Sequence, residues 1–215
     1  MPDLTALQRI CGLLDRGEID RAHFLALLCR HLVHDVGCSR AAVRMLVQTP
    51  MGAALHCIAM HDSAGMLGPT VPDMVGEDPG AYFETLLRDG CVVASDALHD
   101  PATAPFVDSY LAPLDVRSLL DVGFSVNGAL YGSFSCEQVG TMQEWSPQQL
   151  TLLRQVASRV SLTLMHAITA EIDTTPAALW EPSTPNRLMT MPLPLMELEA
   201  RERRDPPDHD ERRGR

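Results

Sequence analysis

Leu4, Leu7, Cys11 and Leu14 recur at spacings of three and four, the stripe of a helix that packs on another helix. Gly17 interrupts it. Asp20 stands as N-cap of a second helix that carries Phe24, Leu25, Leu28, Leu32 and Val36 on its apolar side until Gly37. Two short strand-like runs follow, 41–47 and 53–60, with Thr49-Pro50-Met51-Gly52 as the turn between antiparallel neighbours. From His61 to Glu77 the pattern is that of a loop. Asp78 and Pro79 then open a short helix with Tyr82, Phe83, Leu86 and Leu87. Residues 91–94 read as a brief strand, and Pro101 leads into a helical stretch over 106–111.

The sharpest local signal is a hairpin: strand-like runs at 119–126 and 129–137, separated by Asn127-Gly128, a dipeptide that tolerates positive φ at both turn positions. A two-residue turn there places Asp121 opposite Phe134 and Leu119 opposite Cys136, with Leu120, Val122 and Phe124 on the other face. Trp145-Ser146-Pro147-Gln148-Gln149 supplies an N-cap, a first-turn proline and a capping-box glutamine. The helix it opens carries Leu150, Leu153, Ala157, Val160, Leu164 and Ile168 in one stripe, broadened by Leu152 and Val156. After Ile172, prolines at Pro176, Pro182, Pro192 and Pro194 forbid a continuous helix, and the end from Glu197 to Arg215 is charged. The expected organisation is an N-terminal helix over 1–19, one α+β domain over 20–171, and a flexible proline-rich and charged tail over 172–215.

Charge and composition narrow the functional classes. A formal net charge of −11 opposes binding to a phosphate backbone, and 5% aromatic residues provide few platforms for stacking bases, so no nucleic-acid partner is expected. All 17 basic residues are Arg, which removes Schiff-base and P-loop lysine chemistry. Six cysteines without a C-x-x-C pair indicate reduced thiols. With no leader-like start and no uninterrupted apolar run of about 18 residues, the expectation is a cytoplasmic protein without a membrane partner.

The element order resembles that of a GAF domain over roughly residues 20–170. The residues that carry the resemblance are Asp96-Ala97-Leu98-His99-Asp100-Pro101, the stretch from Ser109-Tyr110-Leu111 through Arg117 to Asp121-Val122, Asn127-Gly128-Ala129-Leu130-Tyr131-Gly132-Ser133-Phe134-Ser135-Cys136-Glu137, and Trp145-Ser146-Pro147. The resemblance implies a central antiparallel sheet with helices on both sides, a ligand pocket on one face, and a sensory role like that of GAF units in bacterial histidine kinases. Bilin-binding members carry a Cys-His pair just before the places of Tyr110-Leu111. This chain has Phe106-Val107 there, so a covalent bilin is not expected. The effector domain that a GAF unit usually serves is not in the sequence, and the signal is expected to pass to a separate protein, as in two-component signalling.

The candidate chemistry follows from these placements. Asp121 on a strand needs a partner or water, and Arg117, four residues earlier on the same alternation, either pairs with it at the sheet edge or brackets a polar ligand with it. Phe106, Tyr110, Arg117, Asp121 and Cys136 are the candidate ligand-binding residues. Met45, Met51, Met60, Met66 and Met74 border the loop over the pocket, as cavity lining or as ordinary core. His31, His34 and Cys38, with Asp35 nearby, have helical metal-ligand spacing, against a solvated helix face. Cys91 or Cys136 with His99 lacks an acid or base beside the thiol, and no catalytic constellation stands out. The stripes at Leu7 and Leu164 predict a homodimer, and Trp180, Met191, Leu193 and Leu195 form an apolar motif that docks a partner or folds back. The expected function is a non-catalytic module sensing a small ligand. The alternatives are an adaptor acting through its helical seams and tail, or a redox or metal sensor.

Overall fold

The structure, a computed structural model, describes residues 4–49, 52–65, 72–75, 80–126 and 129–174. Its helices are α1 (Leu4–Asp15), α2 (Arg21–Leu32), α3 (Gly80–Asp89) and α4 (Pro147–Thr174), and its strands are β1 (Arg40–Thr49), β2 (Gly52–Asp62), β3 (Cys91–Ala94), β4 (Val116–Val126) and β5 (Ala129–Val139). A π-helical turn, Val33–Gly37, extends α2, and a 3-10 turn at Ala104–Phe106 runs into a second π-helical turn at Val107–Leu111. The α+β class and the element order follow the pattern of the sequence.

The caps form where the sequence places them. The Asp20 carboxylate accepts the His23 N–H at 2.8 Å, and Gly37, at φ 73°, ends the extended α2 in a conformation that a side chain resists. At α4 the capping box closes in both directions: the Gln149 N–H reaches Ser146 Oγ at 3.3 Å, and the Ser146 N–H reaches Gln149 Oε1 at 2.8 Å.

The five strands form one antiparallel sheet in the order β2-β1-β5-β4-β3. On one face lie α1, α2 and α4, packing Leu7, Leu28, Leu32, Leu153, Val156 and Val160 against Val43, Val122, Phe124 and Phe134. On the other face α3 and the turns at 104–111 bring Tyr82, Leu86, Phe106 and Tyr110 over Leu46, Val92, Ala94 and Leu119. Among the described residues no helix is long and apolar enough to cross a membrane.

Two irregularities correct the expected register. In the β4–β5 hairpin Ser125 pairs with Leu130 but Phe124 pairs with Gly132, so Tyr131 is an extra residue on β5. Asp121 therefore lies opposite Ser135, and Leu120, not Leu119, lies opposite Cys136. A one-residue slip exchanges the faces of every later side chain on β5 relative to β4. At the other end Val116 pairs with Val139 and Ser118 with Gln138, which leaves Arg117 as an extra residue on β4 and off the alternation that was to align it with Asp121.

The helical stripes expected to meet a second copy are in large part buried already within one chain, although Cys11 and Leu14 of the α1 stripe remain half-buried. Leu7, Leu153, Ala157, Val160 and Leu164 are buried where α1 packs on α2 and α4, while Leu162, on the outer side of α4, is 57% exposed. The tail residues Trp180, Met191, Leu193 and Leu195 lie outside the described residues.

Two stability tests follow. A Cβ on Gly132 falls 1.9 Å from the Arg44 carbonyl oxygen and 2.8 Å from the Phe124 ring. The obstacle is backbone, so Gly132→Ala is expected to lower the unfolding free energy by about 3 kcal/mol or more in urea titrations. Leu164→Glu, which buries a charge at a fully buried site, is expected to unfold the chain at moderate urea rather than to halve its mass in light scattering.

Candidate functional site

The register sets out the face of the sheet opposite α2 and α4 row by row. Arg40 lies between Asp62 and Glu137, Ala42 between Met60 and Ser135, and Arg44 between Cys57 and Ser133. On β4, Asp121 lies between Ser135 and Val92, and Gly123 lies beside Ser133. Ala42, Ser133, Ser135 and Gly123 make a floor of small residues. Over such a floor a long side chain from a strand and phenols from the opposite layer can meet without overpacking.

Arg44 is fully buried, and its Nη2 donates to Glu137 Oε1 at 2.8 Å and to the Tyr110 hydroxyl. The Tyr110 hydroxyl donates to the same Oε1 at 2.8 Å, and the guanidinium carbon stands 4.7 Å from the centroid of the Tyr110 ring. Arg40 secures the flank. Its Nε donates to Asp62 Oδ2 at 3.2 Å, its Nη1 donates to the Leu114 carbonyl at 3.2 Å, and Nη1 is 4.0 Å from Glu137 Oε2. On the far side of the floor the Tyr82 hydroxyl, carried by α3, donates to Asp121 Oδ2. The Tyr82 ring meets Phe106 edge-on at 5.2 Å and Phe83 at 5.3 Å, so the roof is aromatic.

This layer is polar, buried and incompletely paired by the protein's own side chains. Arg44 Nε and Nη1, Asp121 Oδ1 and Glu137 Oε2 have no close hydrogen-bond partner although each is buried, and the hydroxyls of Ser133 and Ser135 reach Tyr82 and Asp121 only in long contacts. A buried polar group left in that condition costs about 1–3 kcal/mol, and more when charged. Burial pushes the Asp121 carboxyl up to about 6, against the opposing pull of Tyr82, Ser135 and Arg44. Burial also raises the Tyr82 and Tyr110 phenols well above their ordinary value, aided by the neighbouring carboxylates, so both act as neutral donors.

Of the residues expected at the site, Phe106, Tyr110 and Asp121 are gathered here. Arg117 is not: displaced by the irregularity in β4, it is half exposed and donates to Asp115 Oδ1 at 2.7 Å, and the partner of Asp121 is Tyr82. Nor is Cys136, which points to the helical face, where a hydrogen bond with Cys38 and then burial raise its thiol. The His31, His34 and Cys38 set is dispersed. His31 pairs with Asp35 at 3.4 Å, His34 is exposed, and past the π-helical turn Cys38 is buried with its Sγ 3.1 Å from the Arg40 carbonyl. No group of three His, Cys, Asp or Glu among the described residues is placed to hold a metal ion. Cys91 takes a contact from Arg154 at 3.1 Å, while His99 is exposed and pairs with Asp96 at 2.9 Å. Met74 is buried on the pocket side, Met60 is half-buried, Met45 packs under the helices, and Met51 and Met66 lie outside the described residues.

Sequence reasoning missed Arg44, Glu137 and Tyr82. The available signal was charge inside otherwise apolar strands: Arg44 interrupts the run 41–47, and Glu137 follows the alternating Ser133-Phe134-Ser135-Cys136. Such charges are rarely buried without a partner.

A family model for the GAF domain matches residues 20–164. A search of curated proteins finds no match. Solved structures similar in fold include the blue-light-absorbing form of the PixJ GAF domain from Thermosynechococcus elongatus, at 17% identity and a TM-score of 0.55, covering 83% of this chain and 97% of that one. A phycoerythrobilin-bound GAF domain from a cyanobacterial phytochrome is 14% identical with a TM-score of 0.63, covering 80% of this chain and 98% of that one. The cyanobacteriochrome receptor PixJ is 18% identical with a TM-score of 0.53, covering 74% of this chain and 97% of that one.

The raised Asp121 carboxyl has a definite signature in stability. Its folded value, about 6, exceeds the ordinary value of the unfolded chain, so between about pH 4 and pH 6 the folded state holds a proton that the unfolded state has released. Stability contributed by this group is therefore full at about pH 4, falls as pH rises through 6, and is lower by about 3 kcal/mol above it. Asp121→Asn mimics the neutral acid beside Tyr82, Arg44 and Glu137. It is expected to raise the urea midpoint at pH 7.5, leave it nearly unchanged at pH 4.5, and flatten the profile between.

Proposed function

The chain belongs to the GAF domain family, whose members serve as sensory modules, and from that premise we propose that it is a non-catalytic sensor that takes a small polar ligand into the chamber between the sheet and the roof of α3 and residues 104–111. The observation that carries this reading is the concentration of unpartnered buried polar atoms on one small-residue floor, aimed away from the helical layer. A ligand that pairs with them recovers a cost which a purely structural core has no reason to bear.

The chemistry supports binding over turnover. Arg44, Glu137 and Tyr110 are tied to one another, both phenols are held neutral, and burial raises the Cys57 thiol, the cysteine facing Arg44. No activated nucleophile with a base beside it is present among the described residues of this face. The chromophores in the titles of similar structures belong to those proteins. In this chain Phe106 is fully buried against Tyr82 at the place where bilin-binding members carry their Cys-His pair, which supports a ligand other than a covalent bilin.

Output would run through the floor itself. Asp121 lies on β4, and the reverse face of β4 packs on α4, so a change in pairing at Asp121 reaches α4 through one strand. The receiver would be a separate partner protein, and the free state of all six cysteines supports a cytoplasmic setting. A second reading, an adaptor whose chamber is closed, is favoured by one observation: Tyr82, Phe106 and Tyr110 are fully buried on their own sheet.

Native mass spectrometry and thermal shift with cyclic nucleotides, amino acids, nitrate and haem separate the two. A ligand at about a hundred times its Kd stabilises by about 2.7 kcal/mol, so the sensor is expected to retain one compound and to melt roughly 5–10 °C higher, and Glu137→Gln should abolish the shift. No retained compound, with unchanged melting throughout, would favour the adaptor.

A further inference from the structure

Resting on the reading of this chamber as a ligand site, we propose that the ligand is a small organic ammonium compound with a neighbouring oxygen acceptor, an amino acid or amino alcohol, its nitrogen held between Asp121 and Glu137 and its oxygen turned to Arg44.

Charge is the first argument. Arg44, Asp121 and Glu137 are fully buried on one face, two carboxylates to one guanidinium. Arg40, whose Nη1 stands 4.0 Å from Glu137 Oε2, leaves the balance unchanged because Asp62, 3.2 Å from its Nε, brings a carboxylate of its own. The layer is therefore short of one positive charge. An anionic ligand would enter a site already negative in sum, whereas an ammonium group sets a positive charge between the two carboxylates; an amino alcohol completes the balance outright, and a zwitterionic amino acid brings a carboxylate of its own that has to pair with Arg44.

Hydrogen-bond valence points to the same class. Asp121 Oδ1 and Glu137 Oε2 both lack a close donor, having only the facing Ser135 hydroxyl and Arg40 Nη1 at 4.0 Å respectively, and an ammonium nitrogen has up to three N–H groups to supply them. Arg44 Nε and Nη1 remain as donors with no acceptor, which calls for an oxygen on the same ligand. A bare divalent cation suits the site poorly. It needs about six oxygen ligands and cannot use the free guanidinium donors.

The roof supplies the third argument. The chain has only five Phe, three Tyr and two Trp, yet Tyr82, Phe83, Phe106 and Tyr110 all gather over this floor. Arg44 already lies 4.7 Å from the Tyr110 ring centroid, a geometry in which a π face meets a cation, and aromatic walls with carboxylates beside them favour ammonium groups.

The test is isothermal titration of the full chain with glycine, L-alanine, L-serine and ethanolamine, set against isosteres without nitrogen (propionate, glycolate, ethylene glycol) and an anionic cyclic nucleotide. At least one amine is expected to bind saturably, with its isostere weaker by at least about tenfold. Asp121→Asn and Glu137→Gln should each weaken the amine by about tenfold or more, while thermal melting of the unliganded variants shows that they fold. No amine binding at millimolar concentration overturns the ammonium class. Binding of propionate, glycolate or the nucleotide instead, with affinity unchanged in Asp121→Asn, overturns it as well but leaves the chamber as a ligand site. Absence of binding by every probe, together with unchanged melting in the broader metabolite panel, defeats both.

Discussion

The rest of the structure depends on the buried clasp between the Arg44 guanidinium, Glu137 and Tyr110. It joins β1, β5 and the π-helical turn at 107–111 through one nitrogen and one carboxylate oxygen, all at zero exposure. A lone buried charge is strongly unfavourable, and breaking such a pair typically costs about 3–5 kcal/mol because the other charge is left behind. The clasp also accounts for the residues around it. Arg44 reaches diagonally across the sheet to Glu137, and that path is open because Ala42, Ser133 and Ser135 stand beneath it. Anything larger on that floor would displace the guanidinium.

The two faces of the sheet solve different problems. The face under α1, α2 and α4 is apolar throughout, with Phe124 and Phe134 at 5.2 Å and the thiols of Cys29, Cys38 and Cys136 as small buried fillers. Non-directional packing of that kind supplies most of the stability and fixes the sheet as a platform. The other face spends part of that stability on directional polar contacts that specify one arrangement of α3 and the 104–111 turns. Tyr82 and Tyr110 come from different roof elements, and each is secured by a carboxylate on a different strand. The roof is therefore positioned from the floor at two separate points.

Much of the fold was legible because its signals are local. Asp20, Ser146, Gln149 and the glycines at 17 and 37 act within a turn or two of chain, and the helical stripes follow a period that needs no tertiary knowledge. The site was legible only in part. Phe106, Tyr110 and Asp121 fell out of the family pattern, but Arg117 and Cys136 were placed by counting along a regular hairpin. An extra residue at Tyr131 and another at Arg117 defeat the count, and a bulge leaves no reliable trace in composition. The same slip hid Glu137, which takes the side of the sheet assigned to Cys136. Arg44 and Tyr82 were missed for another reason: a charge in a strand and a tyrosine on a helix each look ordinary until partners distant in sequence are brought together. Those partners are 93 residues from Arg44 and 39 from Tyr82.

The similar structures share this scaffold at identities of 14–18%, a level at which the fold is kept and the lining of the chamber is free to differ. What distinguishes this chain is then the set of side chains that the register delivers to the floor. Here the register delivers one guanidinium, two carboxylates and two hydroxyls, and sets four aromatic rings above them. Such a layer is held by directional polar contacts rather than by apolar packing, since every unpartnered atom in it is a strong donor or acceptor. The raised carboxyl of Asp121 belongs to the same arrangement. It lies on the strand whose reverse face packs on α4, so the protonation and pairing of this one carboxyl are tied through β4 to the helical layer.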